Sequence, residues 1–113
     1  MNELQIKLKP SQLRALHSSF DFLIKHYEVL NEHELLLLHH AIDFREVLDK
    51  LLQKKQKQYT FKLVDVTALA FAQIWHTDYK LLKELERNVV FSINEQIDKY
   101  RKQLKSRIYY ETV

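Results

Sequence analysis

The chain is 113 residues long, 46% hydrophobic and 29% charged, with a formal net charge of +3, one proline and neither glycine nor cysteine. A domain of this length buries roughly 65% of its unfolded surface, enough for its own core, and this composition fits neither disorder nor a membrane-embedded class. Lacking cysteine, it has no disulfide, thiolate metal site or thiol nucleophile; lacking glycine, it has no glycine-rich phosphate loop.

The absence of glycine also disfavours sandwiches and doubly wound sheets, whose many tight turns call on positive φ. The expected fold is therefore mainly α, in one domain spanning 1–113. No apolar run approaches the roughly 20 residues that cross a bilayer. Met1-Asn2-Glu3 lacks the basic, then apolar start of a secretory signal, so the expected location is the cytoplasm, with no membrane partner.

Leu4, Ile6 and Leu8 alternate with Gln5 and Lys7, the period of a half-buried strand. Pro10 suits the first turn of a helix, where its missing N–H has no role. Leu13, Leu16, Phe20, Leu23, Ile24, Tyr27 and Leu30 then recur at three- and four-residue steps, predicting an amphipathic first helix. Asn31 followed by Glu34 reads as a capping box that starts a second helix, expected to run to about Lys57. Tyr59, Phe61 and Leu63 alternate with Thr60 and Lys62 as a second strand. A third helix is expected from an N-cap near Asp65, with Ala68, Phe71, Ala72, Trp75, Tyr79, Leu82 and Leu85 on its apolar stripe. The fourth carries Val89, Ile93, Ile97, Tyr100, Leu104 and Ile108, after a break expected near Glu86 to Asn88.

The two halves echo each other. Leu4-Gln5-Ile6-Lys7-Leu8, Ala15-Leu16 and Phe20 recur 55 positions later as Tyr59-Thr60-Phe61-Lys62-Leu63, Ala70-Phe71 and Trp75. The pattern predicts two strand-helix-helix units, 1–57 and 58–113, related by a pseudo-twofold axis. An isolated strand leaves its backbone groups unpaired, so the two strands are expected to form an antiparallel ribbon, within one chain or between two. Phe20 and Trp75, at matching positions, are expected to meet as core anchors.

Three constellations bear on function. Five of the six histidines lie between His17 and His40; His39, Asp43 and Glu46 fall at helical spacing, and His76 stands near Asp78 on the third helix. These are the candidate metal ligands of a helical-bundle enzyme or sensor, although no zincin or paired Glu-x-x-His motif is present. Lys99, Arg101, Lys102, Lys105 and Arg107 cluster with tyrosines on the fourth helix, a candidate nucleic-acid surface that also suits a solvated helix end. Leu36, Phe44, Val47 and Leu51 widen the apolar stripe of the second helix beyond one seam, which calls for neighbours on more than one side. They are the candidate interface. The expected function is a non-catalytic interaction or assembly module without cofactor, homodimeric or bound to another protein. Nucleic-acid association and metal binding are the alternatives.

Overall fold

β1 (Leu4–Leu8) and β2 (Tyr59–Leu63) pair antiparallel within the chain, with Leu4 opposite Leu63, Ile6 opposite Phe61 and Leu8 opposite Tyr59. The structure, a computed structural model, describes residues 3–112, with side-chain surroundings described for 3–103 apart from Thr77. The alternation read from the sequence sets the two faces of the ribbon. Ile6, Leu8, Tyr59, Phe61 and Leu63 are buried, while Gln5, Lys7 and Lys62 face water. On the ribbon, Lys7 Nζ donates to Thr60 Oγ1 across the strands at 3.0 Å.

Single residues link each strand to a helix, Lys9 to α1 (Pro10–His26) and Val64 to α3 (Asp65–Asp78). The other helices are α2 (Glu32–Leu52) and α4 (Glu84–Thr112), and a 3-10 turn at Tyr79–Leu81 follows α3. α1 packs on α2 and α4, and α3 packs on the same two neighbours, so the four helices form a ring. Phe20 sits at its centre, with its ring centroid 5.4 Å from Phe44, 5.8 Å from Phe71 and 5.2 Å from Trp75. The predicted meeting of Phe20 and Trp75 is thus present. Phe44 also touches Phe61 and Phe71, which ties the ribbon into the same aromatic cluster.

Each of the four α-helices starts with the side chain of its third residue accepting an N–H of the approaching chain. Gln12 Oε1 takes the Lys9 N–H at 2.8 Å, and Thr67 Oγ1 the Val64 N–H at 2.9 Å. At α2 Asn31 Oδ1 accepts from the Glu34 N–H at 2.9 Å, as expected, whereas Glu34 Oε2 takes the N–H of Leu30 at 2.8 Å, one residue before the cap N–H that a capping box would use. Glu86 Oε1 takes the Lys83 N–H at 3.1 Å. These starts need no positive φ, and none occurs among the described residues.

Four boundaries differ from the sequence expectation. α1 ends at His26, four residues early, because Tyr27 turns extended and delivers the chain to the Asn31 cap. α2 ends at Leu52 instead of about Lys57; the Tyr59 hydroxyl donates to the Lys54 carbonyl and accepts the Gln56 N–H, fastening that turn. Asp65 is the first residue of α3, and Val64 precedes it as the cap. The break after α3 comes at Leu82 and Lys83, ahead of the expected Glu86 to Asn88, and Glu86 is what caps α4.

Candidate functional site

The excess of apolar residues on α2 divides between two sides of the helix. Leu37, Ala41, Phe44 and Leu48 face the core, and Leu51 is half-buried beside them. Phe44, a candidate interface residue by sequence, is instead part of the central aromatic cluster. Its position at the middle of the buried stripe, four residues from Leu48 and three from Ala41, explains the placement. Leu36 and Val47 keep 55% and 45% of their surface exposed. They are eleven residues apart, three full turns, and so share one flank of the helix.

That flank borders α3. Leu36 and His40 meet Val66 and Leu69 around a shallow groove of about 100 Å³. Val66 is 67% and Leu69 39% exposed. Both were overlooked in the sequence because they lie off the Ala68, Phe71 and Trp75 stripe; apolar residues outside a helix's core stripe were the available signal.

The candidate metal ligands do not converge. His39, Asp43 and Glu46 point to solvent along α2, and His76 is exposed on α3. Among the described residues no three histidine, aspartate or glutamate side chains are grouped to hold an ion. Of the basic cluster, Lys99, Arg101 and Lys102 are exposed, and Lys102 pairs with Asp98 one turn back at 3.1 Å. The side chains of Lys105 and Arg107 lie outside the described residues.

A groove of about 360 Å³ lies where the end of α1 meets the start of α2 and the end of α3. Phe22, Leu30 and Leu81 line it, together with Tyr27, Glu34 and Asp78. Burial and the nearby Glu34 carboxylate push the Asp78 carboxyl above its ordinary value of 3.8. Burial, then Glu34 and Asp78, likewise raise the Tyr27 hydroxyl. On the ribbon side of the molecule, partial burial and a 2.8 Å hydrogen bond to Asp65 push Tyr100 up to about 12. No family model, curated protein or solved structure matches the chain.

Proposed function

We propose that this chain is a small, non-catalytic assembly module of the cytoplasm that pairs with a second copy of itself through the α2 flank bearing Leu36 and Val47. The observation that carries the reading is the group of large aliphatic side chains left exposed where α2 meets α3: Leu36, Val66 and Leu69 around one groove, with Val47 further along. The monomer's own packing does not absorb them. Charge supports a second copy as the occupant. Glu32 and Glu34 stand in the first turn of α2, with Lys50 in the last turn and Lys54, Lys55 and Lys57 just beyond. A twofold axis that lays two α2 helices antiparallel sets each acidic end against the other's basic end. It also opposes their dipoles.

The test is the mass of the protein in solution, by light scattering or native mass spectrometry. The wild type is expected to be a dimer that weakens with added salt, because exposed charges are screened. Leu36→Glu with Val47→Glu is expected to give a folded monomer, both positions being exposed in the single chain. A wild type that stays monomeric at high concentration overturns the proposal.

We further infer that the chain consists of two equivalent strand-helix-helix units. Support comes from the ribbon register: residues 55 apart, Ile6 and Phe61, lie opposite each other, as a twofold axis through the ribbon requires. Leu13 and Ala68, Leu16 and Phe71, and Phe20 and Trp75 are buried pairs at the same spacing. α3 is 14 residues long against 17 in α1, which changes the spacing of the second helices to 52 and aligns Leu37 with Val89 and Ala41 with Ile93, all buried.

A further inference from the structure

On the α4 side of α3, a cavity of about 280 Å³ is walled by Trp75, His76, Tyr79, Phe91, Asn94 and Arg101, among others. Two of these residues hold polar atoms that the fold leaves unused. Trp75 is 1% exposed, yet its Nε1–H has no acceptor among the described residues. The Asn94 Oδ1, on α4, is likewise covered and has no donor. Buried polar groups are nearly always paired, and an unpaired one costs about 1–3 kcal/mol. A donor and an acceptor, both unpaired and both belonging to residues that wall one cavity, form half of a recognition pattern. A third feature lies beside them. Phe91 stays 45% exposed although its ring packs 5.1 Å from Tyr79, centroid to centroid.

We propose that this cavity binds a small, planar, uncharged ring carrying a cis-amide edge, an N–H beside a C=O, of the kind found in pyrimidinediones and lactams. The C=O would accept from the Trp75 indole and the N–H would donate to the Asn94 carboxamide. Phe91 supplies an aromatic surface for the ring. The volume of about 280 Å³ falls just below the usual range of ligand pockets, about 300–1,000 Å³, so it suits a single ring. Both polar atoms are covered in the free protein, so binding requires the Asn94 side chain, half-buried as a whole, to turn toward the cavity and uncover the Trp75 N–H as it does so.

The chain has one tryptophan, so its fluorescence reports on this indole alone. Uracil is the probe, and its N,N′-dimethylated form is the control of similar shape without the N–H. Uracil is expected to shift Trp75 emission saturably. The dimethylated ring is expected to bind about tenfold or more weakly, the loss of one buried hydrogen bond. Asn94→Leu is expected to lose uracil to the same degree while keeping the wild-type circular dichroism. No saturable shift with uracil overturns the proposal, and so does equal affinity for the dimethylated ring. The second comparison uses wild-type protein only, so it holds even if Asn94→Leu fails to fold.

Discussion

Asp78 shows how one side chain's surroundings become a property of the whole fold. Its carboxyl is pushed up by burial and by Glu34, so at a pH between the ordinary aspartate value and the raised one the native state keeps a proton that the unfolded chain has released. Stability therefore falls as pH rises from the ordinary aspartate value through the raised one, and is level above it. Asp78→Asn removes the charge that the groove disfavours. The variant is expected to melt higher than wild type at neutral pH, with the difference closing as acid protonates Asp78; an unchanged gap in acid contradicts this assignment. Residues of this kind were only partly legible in the sequence. Phe20 and Trp75 were readable as core anchors because each sits on a regular apolar stripe, and their rings do meet. Phe44 was read onto a surface because α2 is apolar on two sides, and composition alone does not say which side faces inward. Asn94 gave no signal, since its interest lies in Trp75 on another helix.

At the scale of elements, the strands and the helix starts were the most readable features, and for a common reason. Alternation and capping are local, and this chain makes its turns with side-chain acceptors in place of glycine. Asn31 is the clearest instance, accepting the Glu34 N–H while Glu34 holds the Leu30 N–H. Asn31→Ala is expected to lower unfolding free energy by about 1 kcal/mol, and Asn31→Gly by only a few tenths, measured by urea denaturation. An Asn31→Ala variant as stable as the wild type would mean that the cap hydrogen bond is not what holds this end. The start of α4 was misplaced because its cap residue is Lys83, whose side chain accepts no hydrogen bond. Its anchor is the Glu86 carboxylate alone, and that residue is buried, with Ser19 of α1 3.5 Å away. Nothing local marks a glutamate for that place. The ends of α1 and α2 were read too late because the extended backbone of Tyr27 and the hydrogen bonds of the Tyr59 hydroxyl to Lys54 and Gln56 set them, and periodicity registers neither.

For the molecule as a whole, the decisive contacts run between the two halves. β1 pairs only with β2 in the two-stranded ribbon, α1 rests on α4, and α2 rests on α3. Each half keeps one helix pair to itself, yet its strand and the inner apolar stripes of both helices are covered by the other half. Neither half should then hold its structure as a monomer, because a lone strand leaves backbone groups unpaired and a helix pair without its neighbours exposes Phe20 or Trp75 to water. The connection 53–58 is exposed and polar, the place where a cut disturbs least. Fragments 1–56 and 57–113 are therefore expected to lack cooperative melting when separate and to recover it on mixing, as a one-to-one complex with the circular dichroism of the intact chain. The proposed repeat adds a sharper expectation for the first fragment. If the two units are equivalent, 1–56 at high concentration should associate in pairs, each copy supplying the strand and helices that 57–113 normally provides, with Ile6 opposite Ile6 across the axis. Folding of either fragment as a stable monomer would contradict the single shared core. Reconstitution of the mixture without self-association of 1–56 would keep that core but remove the equivalence of its halves.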